Sequence, residues 1–194
     1  SASTLTFTSS DWSAGQTVTI TGVDDDFADG SQTVLITIYV DNSSDSTYAA
    51  LDNQTVTVTN TDAGESLGFT ITETNSSTSV TESGGTDNLS IVLTSEPFAN
   101  VILSIASTDT GEVTVSPSSL TFTASDWSTP QEVTITAVQD NIIDGVRWSS
   151  VTVSVSSSVD ASYVALGSQS ITAIINDSRT GRQQDSRISA GLKY

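Results

Sequence analysis

The chain has 194 residues, 23 acidic and 5 basic side chains, a formal charge of −18, and no Cys, His or Met. That inventory excludes a disulfide framework, the His/Cys ligand sets of zinc and copper, thiol nucleophiles and histidine acid–base catalysis, and the acidic balance argues against a nucleic-acid partner. No run of about 18 apolar residues exists, so no transmembrane helix is expected.

Taken in chain order, the predicted elements are all strands. "QTVTITGV" (16–23), "TVLITIYV" (33–40) and "QTVTVTN" (54–60) alternate with period two. So do "NLSIVLT" (88–94), "NVILSIAS" (100–107), "QEVTITAV" (131–138) and "SSVTVSVSS" (149–157). Ser and Thr supply about a third of the chain, and Thr interleaved with Val and Ile favours pleated strands. Clusters of Gly, Asn, Asp and Ser separate the runs at intervals of roughly 8–12 residues, as in a β-sandwich. No helix is expected.

The chain repeats itself. "LTFTSSDWSAGQTVTITGVDDD" from Leu5 returns as "LTFTASDWSTPQEVTITAVQDN" from Leu120, an offset of 115 that holds without a gap to Asp62 and Asp177. Of those 58 positions, 27 are identical, which chance does not produce. The second copy has further strands ahead of its "LTFT", whereas the first has four residues. The expected organisation is therefore the C-terminal half of a sandwich repeat over 1–62, a complete repeat over 63–177, and a basic tail over 178–194. The fold class is all-β, with tandem immunoglobulin-like sandwiches of which the first is present only as its C-terminal half. Leu5, Phe7, Val18, Ile20, Leu35, Ile38, Val56 and Val58 then need a covering layer, from upstream sequence or from another molecule.

"VDDDFADG" places Asp24, Asp25, Asp26 and Asp29 in one short loop closed by Gly30. The strand 33–40 leaves this loop and the strand 54–60 returns antiparallel, so Asp62 is expected at the same pole, with Glu65 three residues on. Six carboxylates converging there suit a hard cation with six to eight oxygen ligands, Ca²⁺, with Gly30 permitting the tight turn. The alternative is a solvated acidic loop. Trp12 and Trp127, in equivalent "SDW" turns, are expected to close the end of the core rather than stack on sugar. Tyr48 and Tyr163 are expected to satisfy a backbone hydrogen bond at a sandwich corner.

The stretches "VTESGGTDNLSIVLTS", "LTFTASDW", "VDDDFADG" and "VTNTDAGE" together resemble the Calx-β repeats found in large bacterial surface and adhesion proteins, over residues 1–177. The resemblance implies calcium ligands before the second strand, ahead of the "LTFT" strand, in the acidic loop and at the closing aspartate. In the complete repeat these positions look like Glu82, Glu112 (with Asp109 as the alternative), Asp140, Asp144 and Asp177. In the partial repeat they are Asp24, Asp25, Asp26, Asp29 and Asp62. The second loop departs from the pattern, since Gln139 and Asn141 replace two aspartates. Fewer charged ligands mean weaker binding, so the second site is expected to be weak or empty.

The tail reverses the charge, with Arg179, Arg182, Arg187 and Lys193 against Asp185. "RISAGLKY" alternates apolar and polar residues, like a strand of an outer-membrane barrel or one that adds to an open sheet edge; the alternative is a disordered basic tail. The reading is a non-enzymatic structural and adhesive module, extracellular or on a cell surface, with Ca²⁺ rigidifying interdomain junctions. Its expected partners are neighbouring repeats of the same protein and other copies by strand exchange. Two alternatives stand beside it: a subunit of an extracellular filament or sheath assembled by strand exchange, and a carbohydrate-binding accessory domain of a secreted enzyme.

Overall fold

The computed structural model describes residues 4–41, 44–62, 64–140 and 142–178. The tail expectations, including the strand from Arg187 to Tyr194, lie outside that range, as does Asn141. The chain separates into two compact units, Ser1–Gly64 and Glu65–Tyr194.

The first unit is built on one hairpin. β1 (Gln32–Ile38) runs antiparallel to β2 (Gln54–Asn60), in register from Gln32 opposite Asn60 to Ile38 opposite Gln54. A single helical turn, α1 (Ser46–Ala49), lies between them, with Asp45 Oδ1 accepting from the Thr47 amide at 2.8 Å as its N-cap.

The second unit carries the sandwich. Its strands are β3 (Phe69–Glu73), β4 (Thr78–Thr81), β5 (Thr86–Leu93), β6 (Val101–Ser107), β7 (Val113–Ser116), β8 (Ser119–Phe122), β9 (Gln131–Ala137), β10 (Arg147–Ser158) and β11 (Gln169–Asn176). A second helical turn, α2 (Ala161–Val164), precedes β11. One sheet has the order β4-β11-β10-β6-β8 and the other β3-β5-β9-β7. Every pairing is antiparallel except β4 with β11. Because the side-chain period is two, the alternating residues of each strand fall on one face. Leu89, Ile91, Leu103, Ile105, Val133, Ile135, Val151 and Val153 are thereby buried between the sheets, with Phe122 and Tyr163. Each such side chain contributes roughly 1.5–3 kcal/mol when fully buried.

The two units share a sequence but not a core. Phe122 is 0 % exposed, whereas its counterpart Phe7 is 52 % exposed. The segment 16–23, expected as a strand, is not one here. Its counterpart β9 is held by ladders to β5 on one side and β7 on the other, and residues 1–62 contain no copy of either. Leu35 was grouped with Ile38 as a core residue, and the register corrects this. Val34, Ile36 and Ile38 share one face of β1 and match the buried Ser149, Val151 and Val153, while Leu35 points with Thr57 to the other face.

The helical turns α1 and α2 also correct the expectation of no helix. They arise where an Asp side chain caps a four-residue segment: Asp160 Oδ1 accepts from the amides of Ser162 and Tyr163. α2 delivers Tyr163 into the core at 0 % exposure, where its hydroxyl donates to the Ser95 carbonyl at 2.6 Å. Tyr48, the equivalent residue of α1, is 61 % exposed. Trp127 packs partly buried against the core and Trp12 lies exposed, so the end-closing role holds only where there is a core to close.

Candidate metal centre

Five strand ends meet at one end of the second unit. The amide of Glu82 donates to the Asn176 carbonyl at 3.0 Å, extending the β4–β11 ladder by one residue and setting Glu82 beside Asp177. Across the sandwich, the Val138 amide donates to the Glu112 carbonyl at 2.8 Å, which ties the start of β7 to the end of β9. The loop after β9 then carries Asp140, whose Oδ1 accepts from the Ile142 amide at 2.7 Å. Asp144 follows, and Gly145 at φ +80° turns the chain into β10. That left-handed backbone is open to glycine without strain, and Gly30 has the same conformation in the first unit, at φ +75°.

Glu112, Asp140 and Asp144 each place a carboxylate oxygen within 4.8 Å of the others. Behind them Glu82 is 2 % exposed, and its Oε1 has no hydrogen-bond partner among the described residues; Asp144 Oδ1 is likewise buried without one. Burial pushes the Glu82 carboxyl above its ordinary value, and the negative charges of Asp177, Asp140, Asp144 and Glu112 push it further. Glu112 is also raised, by burial first and then by Asp144, with Arg147 working in the opposite direction. A buried carboxylate without a partner is costly, and proteins ordinarily neutralise it, pair it or give it to a metal. The three carboxylates close enough to share an ion offer only oxygen donors, a set that fits a hard divalent cation such as Ca²⁺ better than the softer metals.

Arg147, the first residue of β10, stands at the rim. Its Nε donates to Asp144 Oδ2 at 2.7 Å and lies 3.7 Å from Glu112 Oε1. A recess of about 240 Å³ adjoins it, lined by Asp109, Glu112, Arg147 and Trp148. Arg147 is the one basic side chain ahead of residue 178, a fact the sequence shows without connecting it to the site. The signal was its position three residues after Asp144.

Of the sequence-derived set for the complete repeat, Glu112, Asp140 and Asp144 come within 4.8 Å of one another; Glu82 is buried where the charges of all three and of Asp177 raise its carboxyl further, and Asp177 follows the β11 residue that Glu82 bonds. Asp109 instead folds its own turn, its Oδ1 accepting from the Gly111 amide at 3.0 Å. In the first unit, Asp62 Oδ2 accepts from the Gly30 amide at 2.9 Å, so the closing aspartate does meet the acidic loop. Asp24, Asp25, Asp26 and Asp29 are exposed. Among the described residues, the one group of three or more carboxylates close enough to share an ion is that of the second unit. The aspartate-rich loop thus has no assembled cluster, because the positions equivalent to Glu82 and Glu112 do not occur in residues 1–62. Glu65, expected with that loop, belongs to the second unit and is half-buried.

No family model matches the chain. No curated protein matches it either. Among solved structures, it is similar to SSP-19, an MSP-domain protein-like family member of Caenorhabditis elegans, at 16 % identity over 53 % of this chain and 94 % of that one, with a TM-score of 0.36. The E. coli chaperone DraB gives 11 % identity over 62 % of this chain and 60 % of that one, with a TM-score of 0.43. Domains 4 and 5 of the S-layer protein SbsC give 18 % identity over 75 % of this chain and 57 % of that one, with a TM-score of 0.34. Likeness of this extent is one of all-β architecture and carries nothing about activity.

Proposed function

We propose that the protein is a structural and adhesive repeat module of an extracellular or cell-surface protein, of Calx-β type, whose complete repeat binds Ca²⁺ through Glu82, Glu112, Asp140, Asp144 and Asp177. The observation that carries the reading is Glu82, a nearly fully buried carboxylate with an unbonded oxygen inside a ring of acids. An ion there neutralises charges that otherwise oppose one another across the two sheets. It also clamps the last residues of β11 to the ends of β4, β7 and β9, which stiffens the point where the chain leaves the sandwich. That is a mechanical task, and it suits repeats in series, whose stability is local and additive. The experiment is a calorimetric Ca²⁺ titration of the full chain, with Asp140→Asn and Asp144→Asn as controls. Absence of binding in the unsubstituted chain would remove the metal from the proposal.

A second reading, assembly by strand exchange, is favoured by a separate observation. Phe7, Val18, Ile20, Ile38 and Val56 of the first unit are exposed, although their counterparts form the core or pack on it in the second unit. There β6 pairs with β10 and β4 with β11. Strands of that pattern, donated by another stretch of the same repeat protein, would pair with the edges of β1 and β2, and strands equivalent to β3 and β5 of the facing sheet would cover their apolar face.

A further inference from the structure

Residues 1–178 contain a single basic side chain, Arg147. On so acidic a surface that one cation has many carboxylates to choose from. It lies against two of the three that form the candidate site, donating to Asp144 Oδ2 at 2.7 Å and standing 3.7 Å from Glu112 Oε1. Its side chain is 52 % exposed, against 17 % for Asp144 and 13 % for Glu112. The guanidinium therefore caps the cluster from the solvent side and is not embedded in it.

The geometry points to Arg147 as an internal counter-ion that holds the cluster together in the calcium-free repeat and is displaced from Asp144 and Glu112 when a divalent cation enters. This rests on the calcium reading above and adds the regulation of that site. A carboxylate oxygen engaged by a guanidinium has fewer lone pairs for a metal. A guanidinium left beside a bound divalent ion is repelled by it. Departure is inexpensive, because the side chain is already half in water. The repeat thus exchanges an internal cation for an external one. Such a site loads only where calcium is abundant, in the range of extracellular modules.

The first repeat shows what the position looks like without this device. Its counterpart is Gln32, whose amide donates to the carbonyls of Asp29 and Gly30 and not to a carboxylate. Asp24 against Gln139, Asp26 against Asn141 and Gln32 against Arg147 all make the second loop less negative. Three changes in one direction are what a site adjusted toward weaker, displaceable binding needs.

The test uses the full chain with Asp25→Asn, Asp29→Asn and Asp62→Asn, so that the second repeat alone supplies the calcium heat. Calcium chloride is titrated by calorimetry into this chain, into its Arg147→Gln form and into its Arg147→Lys form. Each is also melted in excess chelator. A monovalent and a divalent cation about 6 Å apart in water repel by an amount equal to roughly a tenfold change in affinity. Arg147→Gln is therefore expected to bind calcium about tenfold more tightly and to melt lower in chelator, while Arg147→Lys stays within about threefold of the parent, as an exposed charge swap allows. The gain in affinity shrinks as salt screens the charge. Opposite signs for the two readouts mark a counter-ion, since loss of a merely structural residue lowers both. Calcium bound with unchanged or reduced affinity in Arg147→Gln would overturn the counter-ion role and leave the metal site standing. No calcium heat in any form, Arg147→Gln included, would overturn both.

Discussion

Calcium should raise the melting midpoint of the second unit, and Glu82→Gln should abolish that rise. A ligand that binds only the folded state stabilises it by mass action, by about 2.7 kcal/mol at a hundredfold excess over Kd. The described part of the unit, residues 65–140 and 142–178, has an unfolding entropy of about 0.24 kcal/mol per kelvin at the usual per-residue value. The two together give a shift of about 11 °C. Glu82→Gln removes the buried carboxylate and keeps its shape. In chelator this variant should melt at or above the parent, because an opposed charge is gone; in calcium it should gain little. The assay is differential scanning calorimetry of both forms in saturating calcium and in excess chelator. Superimposable parent curves in the two buffers would refute the site, and a full calcium shift in Glu82→Gln would refute the role given to its buried oxygen.

Three further outcomes are expected. The carboxyls of Glu82 and Glu112 are raised above their ordinary 4.5, so the folded chain holds more protons than the unfolded one above that value. The associated stability is fully present below about 4.5 and is lost as pH rises through the raised values. Asp126, lowered from 3.8 by the amide and hydroxyl of Thr123, acts the other way, its contribution vanishing as pH falls. Melting in chelator should therefore peak in mildly acidic buffer, and a midpoint that climbs steadily to neutral pH would contradict the assignment. Tyr163→Phe should cost about 1–3 kcal/mol by leaving the buried Ser95 groups unpaired, whereas Tyr48→Phe should be neutral; equal losses in denaturant titrations would show that the two tyrosines are not as different as their burial. The exposed face of the first unit should make the chain self-associate in a sedimentation concentration series, and Phe7→Lys with Ile38→Lys should reduce this; a parent chain that stays monomeric with a protected first unit would refute the open face.

The repeat, the all-β class and the strand positions were legible in the sequence because each rests on local information. Period two shows a half-buried strand wherever it occurs, and an offset of 115 residues needs only string comparison. The resemblance and the loop pattern named the acids of the complete repeat, and of these the structure draws Glu112, Asp140 and Asp144 together. The sequence alone did not show which carboxylates come together. It weighed the number of aspartates in one loop, which favours "VDDDFADG" over "VQDNIIDG". The tertiary structure weighs where carboxylates come from, and Glu82 and Glu112 arrive from β4 and β7, on opposite sheets and far from the loop in sequence. It also decided that 16–23 is not a strand while its near-copy β9 is, because a strand exists through its neighbours' hydrogen bonds and the same residues have none to use without β5 and β7. Arg147 illustrates the same limit: its charge and its place three residues after Asp144 were visible in the sequence, but its approach to Glu112 depends on the start of β10 meeting the start of β7 from the opposite sheet, which only the folded sandwich sets.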